Sequence, residues 1–372
     1  MIRALLAALA LAAAAPAAAQ GVTDTQVVLG QSVALSGPAQ ELGKDMQVGA
    51  SLYFNQVNKA GGVNGRRIVL KTLDDGYEPP RAVANTRKLI DEEKVFALFG
   101  YVGTPTSQAV LPIFTEARVP YVGAFTGAEL LRQPFNRYVF NVRASYFDET
   151  EAIVQHLTAM SIDKIAVFYQ NDAYGQAGLT GVERALKKRG LQVAAKGTVE
   201  RNTVEVKAAV AEMLKAQPHS VVMISAYKSC AAFIKEMKRA GANPTYWNVS
   251  FVGSKALAKE LDREGRGVQI SQVVPFPWDA SIPVVKEYRK LLAEAGGEPG
   301  FGTLEGFIAA KVTVEGLRRA GRNLNRDAFI RAMETLNDYD AGGFKVDFGP
   351  DNHNGSRFVD LTIISKEQRF VR

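Results

Sequence analysis

Two runs, Ile165-Ala166-Val167-Phe168-Tyr169 and Val221-Val222-Met223-Ile224, are apolar at every position, and they constrain the fold more than any other feature of the chain. A strand with one wet face alternates polar and apolar residues. A continuous apolar run needs cover on both faces, which a parallel sheet between two layers of helices supplies. Strand patterns at 27–34, 67–73, 95–100, 120–122 and 138–142 alternate with helical patterns near 42–60, 80–92, 105–117 and 127–132. In the first helix Leu42, Met46, Ala50, Phe54 and Val57 recur at helical spacing and stop at Gly61-Gly62. A second series follows, with strands at 164–169, 192–198, 220–225 and 268–274 and helices near 147–160, 175–189, 203–216, 229–240 and 254–264.

Two such series predict an α/β protein of two doubly wound, Rossmann-like lobes. Long helical patterns at 281–295, 303–320 and 326–336 come after the second series, which implies that the chain returns to the first lobe. The tail reads as strands at 344–348 and 358–364 around a polar turn at 349–355. With no long linker, several crossings between lobes are expected. The boundaries that follow are 20–143 with 275–350 for the first lobe, and 144–274 with 351–372 for the second.

Residues 1–19 read as an export signal: Arg3, an apolar run from Ala4 to Ala15, and Ala17-Ala18-Ala19 as the cleavage site. The protein is therefore expected in the periplasm, cut after Ala19, and no cysteine follows the cut to carry a lipid. Apolar residues make up 47% and charged residues 22% of the chain, ordinary globular values. The net charge of +7 is dispersed, as at Lys187-Lys188-Arg189 and Arg318-Arg319, which argues for solvated helix faces and against nucleic acid. Cys230 is the single cysteine and lies in an apolar helix start, where it reads as a small buried residue.

Chemistry for catalysis is not visible. The 3 histidines are scattered, and no H-E-x-x-H, C-x-x-C, G-x-S-x-G, G-x-G-x-x-G or Walker loop occurs. Asp74-Asp75 at a strand end reads as a solvated or capping pair in preference to a metal site, and no cofactor is implied. What does stand out is a pair of strand-to-helix loops. Phe99-Gly100 leads to Thr104-Pro105, read as a cap and first helical residue, and Tyr121-Val122 leads to Thr126-Gly127-Ala128-Glu129, the spacing of a capping box. Such loops lie at the carboxyl ends of the strands, where free N–H groups and helix dipoles hold anions.

Leu35-Ser36-Gly37-Pro38, Gly49-Ala50, Asn55-Gln56-Val57-Asn58, Gly61-Gly62-Val63-Asn64-Gly65, Asp74-Asp75, Phe99-Gly100, Pro120-Tyr121 and Tyr174-Gly175 together resemble the leucine/isoleucine/valine-binding proteins. These are type I periplasmic receptors of ABC importers, and the likeness spans essentially the whole chain after residue 19. The resemblance implies two lobes joined by a three-strand hinge, closing as a monomer on a small carboxylate ligand for delivery to an inner-membrane ABC permease. It implies no enzyme activity.

Carried over by position, the resemblance makes Thr104, Ala124 and Thr126 the carboxylate-binding half of the site, with Tyr101 in the same loop. Tyr174 and Tyr227 would cover the ligand from the second lobe, and Leu42 would lie near its side chain, with Phe301 and Leu304 as further pocket candidates. The family's second-lobe acid, which pairs with a ligand ammonium, falls at Ser250 here. A buried ammonium without a carboxylate is poorly compensated unless another acid, such as Asp172 or Glu305, takes its place. The ligand is thus left open between a branched-chain or neutral amino acid, an aromatic or short-chain acid, and an amide. A sensor domain feeding a signalling partner is the other class of function that fits.

Overall fold

The computed structural model describes residues 20–372, so the expected export signal at 1–19 lies outside the described residues. The first sheet contains β1 (Gln26–Val33), β2 (Arg67–Asp74), β3 (Ala97–Phe99), β4 (Tyr121–Val122) and β5 (Val139–Phe140), all parallel in the order β2-β1-β3-β4-β5. Helices α1 (Gln40–Lys59), α2 (Pro79–Arg87) and α3 (Thr104–Glu116) connect them. The second sheet is built from β6 (Ile165–Gln170), β7 (Lys196–Val199), β8 (Ser220–Ile224), β9 (Thr245–Asn248) and β10 (Gln269–Gln272), again parallel. Around it run α4 (Tyr146–Ala159), α5 (Ala173–Lys187), α6 (Lys207–Ala216), α7 (Tyr227–Arg239) and α8 (Ser254–Leu261).

Helices α9 (Pro283–Glu294), α10 (Phe301–Ala320) and α11 (Arg326–Met333) come next, and α9 and α10 pack on α1. Glycines make that packing close: a Cβ on Gly49 would sit 1.9 Å from the Thr303 carbonyl oxygen, and one on Gly306 would sit 2.5 Å from that of Met46. A small two-stranded sheet of β11 (Tyr339–Asp340) and β12 (Lys345–Val346) follows. The chain then adds β13 (Asp360–Ile364) antiparallel to β10 at the edge of the second sheet, and β14 (Phe370–Val371) antiparallel to β13. The apolar runs at 165–169 and 221–224 are the central strands β6 and β8, and all but the half-buried Tyr169 are buried.

The sheets are therefore linked three times, at 141–145, at 273–282 and at 353–359. The first and third links pair with each other: Asn141 N–H donates to the His353 carbonyl at 2.9 Å and Gly355 N–H to the Asn141 carbonyl at 2.8 Å. His353 stacks on Phe140, with ring centroids 3.8 Å apart, and its Nδ1 lies 3.0 Å from the Val139 carbonyl.

Local chemistry explains most element ends. Ser145 and Asp148 form the reciprocal capping box of α4, Asp172 caps α5 by accepting from Tyr174 N–H at 2.9 Å, and Asn325 caps α11. Asp74 and Asp75 do act as loop pins. Asp74 accepts from Leu35, Ser36 and Gly76 main-chain N–H, and buried Asp75 accepts from Ser32 Oγ and Tyr77 N–H. Cys230 is fully buried, its thiol donating to the Ser225 carbonyl.

Three strands escape the sequence pattern, β9, β11 and β14, each short and lacking alternation. The helix expected near 127–132 is a 3-10 turn over Glu129–Leu131 only. Thr126 forms no capping box: its N–H goes to the Ala124 carbonyl at 2.9 Å, and its hydroxyl accepts weakly from Ala128 N–H at 3.3 Å. Thr104 is likewise not a cap. Gly103, with φ +104°, holds the N-cap position of α3, and Thr104 is its first helical residue.

Candidate functional site

The carboxyl ends of β3 and β4 deliver two buried hydroxyls to one point, where Thr104 Oγ1 and Thr126 Oγ1 are 2.7 Å apart. Thr126 Oγ1 also lies 3.4 Å from the Tyr146 hydroxyl, which belongs to the second lobe. Gly103 makes this loop possible: a Cβ there would fall 2.2 Å from the Tyr77 ring, and its φ is one that side-chain-bearing residues rarely adopt. Freed from capping, both threonine hydroxyls stand at the start of α3, where the helix dipole favours an anion.

Aromatic rings close over that point from both lobes. Phe251 packs against Tyr174 at 4.6 Å, Phe125 at 5.4 Å and Tyr77 at 5.9 Å between centroids, and Tyr174 packs against Tyr146 at 5.4 Å. The Tyr174 and Tyr227 hydroxyls are buried and have no hydrogen-bond partner among the described residues. A buried hydroxyl without a partner costs on the order of 1–3 kcal/mol, so each is a donor waiting for an acceptor.

A buried charge cluster lies beside the rings. Arg143, on the first link between lobes, donates from Nη2 to Glu149 Oε1 at 2.7 Å and from Nη1 to Glu305 Oε1 at 3.2 Å, and also contacts Ser250 Oγ. Its guanidinium lies 5.4 Å from the Phe125 ring centroid and 5.7 Å from that of Tyr146. Glu149 is held from four directions: Arg143, Ser250 N–H at 2.8 Å, Ser250 Oγ at 3.0 Å and Ser271 Oγ at 2.6 Å. The neighbouring acids hold the Arg143 pKa up against the cost of burial, whereas burial pushes Glu305 up to about 7.

The lobes meet over this site. Between them remains a cavity of about 10 Å³ lined by Leu42, Asp45, Phe125, Ser250, Phe301 and Glu305 among others. That is space for about one water, so entry of any larger solute requires the lobes to part. On one rim Arg201 and Asn202 of the second lobe reach Glu78 at 2.9 and 2.7 Å, and Gln170 Nε2 reaches the Tyr77 hydroxyl at 3.2 Å. On the other, Gly253 is wedged against Leu42 and Tyr227.

Most residues expected from the sequence thus converge here: Thr104, Thr126, Tyr174, Tyr227, Ser250 and Leu42 all border the interlobe contact. Tyr101 does not. It is fully buried among Val28, Leu98 and Phe114, with its hydroxyl 3.0 Å from Thr86 Oγ1, and so serves the core behind the sheet. Ala124 packs its methyl in that same core, leaving only its main chain for any ligand. Asp172 is spent on capping α5 and on Arg201 at 3.2 Å, and does not line the cavity.

Arg143, Glu149, Phe125 and Phe251 were not singled out. A signal existed for Glu149: it sits one turn before Ile153 and two before Leu157, on the apolar stripe of α4, where a carboxylate must find partners.

Leu/Ile/Val-binding protein homolog 7 of Brucella abortus (strain 2308) is 28% identical over 370 residues, covering 94% of this chain and 92% of the relative. The crystal structure of a possible leucine/isoleucine/valine-binding protein from Rhodopirellula baltica SH 1 superposes with a TM-score of 0.90 at 34% identity, covering 94% of this chain and 97% of that one. A substrate-binding periplasmic protein from Ralstonia solanacearum gives a TM-score of 0.88 at 32% identity over 93% and 99%. The sequence model of the family described as periplasmic binding protein matches residues 26–368, and this chain belongs to that family of solute-binding proteins, in its Leu/Ile/Val-binding branch.

Proposed function

We propose that this protein captures a small carboxylate-bearing solute, in the first place a branched-chain or other neutral amino acid, between its lobes and presents it to an ABC permease. The observation that carries the reading is the hydroxyl pair Thr104–Thr126 at the start of α3, with the Tyr146 hydroxyl 3.4 Å from Thr126 Oγ1 and the unpartnered Tyr174 hydroxyl on the ring packed against Tyr146. A carboxylate placed there would receive threonine and tyrosine hydroxyls at the positive end of a helix. Thr104, Ala124 through its main chain, Thr126, Tyr174, Tyr227, Ser250 and Leu42 form the proposed ligand contacts. Capture needs no covalent step, metal or cofactor, and the closed shape is what a permease would read.

Export with removal of residues 1–19 and action as a monomer complete the proposal. Among the described residues no helix is long and apolar enough to cross a membrane.

The test is a thermal-shift panel of the chain from Gln20 onward against amino acids, aromatic acids, short aliphatic acids and amides. A ligand at 100 times its Kd adds about 2.7 kcal/mol of stability. The binder found should lose roughly 10- to 100-fold in affinity in Thr126→Ala and recover most of it in Thr126→Ser, as expected for one or two charge-assisted hydrogen bonds. An unchanged Kd in a folded Thr126→Ala protein removes the carboxylate from that position.

A further inference from the structure

The second link between the lobes, 273–282, borders an open groove of about 900 Å³ that takes no part in the site above. Its floor is aromatic. Phe276 and Trp278 on the link and Phe370 on β14 line it, with the Trp278 ring stacked on Phe370 at 5.8 Å and 5.0 Å from Phe276 between centroids. Phe301, the first residue of α10, packs against Phe370, Trp278 and Phe276 at 5.5, 5.7 and 6.0 Å, and it also lines the small cavity between the lobes. One ring therefore partitions groove from cleft, and the two share no lining residue. Trp278 remains 37% exposed on this floor, a contiguous aromatic surface of the kind that marks a binding groove.

The walls lean to positive charge. Lys255 and Lys259 of α8 and Arg369 beside β14 stand against two acids, Glu298 and Asp262. Both acids are engaged: Lys255 donates to Glu298 at 2.8 Å and Gln368 Nε2 to Asp262 at 2.6 Å. Arg372, with its guanidinium 4.8 Å from the Phe276 centroid, is held by Asp279 at 2.9 Å. The side chains of Lys259 and Arg369 are exposed and meet no acid or acceptor among the described residues. The groove thus offers a flat apolar floor and two unengaged cations, in a volume suited to a small molecule and at a place where two lobes and a link meet.

We propose that this groove is a second ligand site, separate from the cleft, for an aromatic monocarboxylate whose ring lies on Trp278 and Phe370 and whose carboxylate meets Lys259 and Arg369. A neutral aromatic would gain the floor but leave both cations unanswered, and an aromatic amine would be repelled by them. The site goes beyond solute capture and does not depend on it, because no residue of the proposed ligand contacts borders the groove.

The experiment is titration calorimetry at low salt with 2-naphthoate and indole-3-acetate, each beside its neutral amide. At least one acid is expected to bind the wild-type protein about 10-fold or more tightly than its amide. Lys259→Glu combined with Arg369→Glu should weaken that acid by about 10-fold or more, as should Trp278→Ala, whereas Thr126→Ala should leave it within about threefold. An acid that also enters the cleft will show two sites in the wild type, and the one that survives Thr126→Ala is the groove. Binding that is lost in Thr126→Ala and untouched by the charge reversal overturns the groove and supports carboxylate capture in the cleft. An amide that binds as tightly as its acid overturns the anion site. Failure of both acids overturns the groove alone, since the cleft is tested by its own panel. Lys259 and Arg369 are exposed, so the charge-reversed protein decides even where Trp278→Ala does not fold.

Discussion

Glu149 on α4 accepts both the main-chain N–H of Ser250, at 2.8 Å, and its hydroxyl, at 3.0 Å, across 101 residues of sequence. The carboxylate that Ser250 lacks is thus present at the same place, brought by a different helix and already committed to Arg143.

Removing one charge from the buried cluster should be far worse than removing all of them. Glu149→Ala leaves buried Arg143 with Glu305 as its one acid and leaves the Ser250 and Ser271 donors without their acceptor, and is expected to cost about 3–5 kcal/mol in urea denaturation. Arg143→Met combined with Glu149→Leu and Glu305→Gln should recover at least half of the loss, because no buried charge of the cluster is then left unpaired. A triple variant as unstable as the sum of its singles would mean that the cluster contributes by packing alone.

Gly253 should govern how far the lobes approach. Its φ is +81°, and a Cβ there would meet Leu42 Cδ2 of the facing lobe at 2.6 Å. Gly253→Ala is expected to cost about 1–2 kcal/mol for its backbone angle and to hold the cleft ajar, seen as a larger radius of gyration in small-angle scattering. Leu42→Ala in the same chain should bring the radius back. No change in either variant would place the limit on closure elsewhere.

The rim contacts of Arg201 and Asn202 with Glu78 are half-exposed and belong to closure more than to folding. Arg201→Ala with Asn202→Ala should leave thermal stability within about 1 kcal/mol. Ligand dissociation in stopped flow should speed up severalfold at low salt, with the difference from wild type shrinking at 1 M salt. A salt-independent difference would show that charge is not what the rim contributes.

His353 should set the response to acid. Burial lowers its pKa from 6.5 to about 4, with neighbouring Arg137 adding to the shift. Above pH 6.5 the ring is neutral folded and unfolded, and stability is unaffected. Between 6.5 and 4 the unfolded chain binds a proton that the folded chain refuses, so stability falls as pH falls. His353→Asn, whose amide can meet the Val139 carbonyl, should flatten that part of the melting-temperature profile. Parallel profiles for the two proteins would assign the acid response to other groups.

Much of this architecture was legible because its strands are unusual sequences: Ile165 to Tyr169 and Val221 to Ile224 admit few other surroundings. β9 was not, since Thr245-Tyr246-Trp247-Asn248 is four residues long and polar at both ends, and its strand state comes from β8 and β10 on either side. The hydroxyl pair at 104 and 126 was located through loop position, although its imagined caps are not formed. Arg143 and Glu149 escaped notice because charge alone does not reveal burial, and Glu305 entered only as a substitute acid for position 250. Their common signal was placement: Glu149 and Glu305 each lie on the apolar stripe of a helix, and what they meet there is settled by tertiary contacts more than 100 residues away, as with Glu149 and Ser250.

The glycine contacts between α1 and α10 bring main chain against main chain at Gly49 and Gly306, with no side chain between to yield. A half built this way moves as a block. Any swing that admits a solute must then be absorbed in the three short connections, one of which carries the guanidinium that touches acids on both sides. Bending the joint and breaking an ion pair become the same act, so the protein can register the arrival of its cargo at the pivot itself.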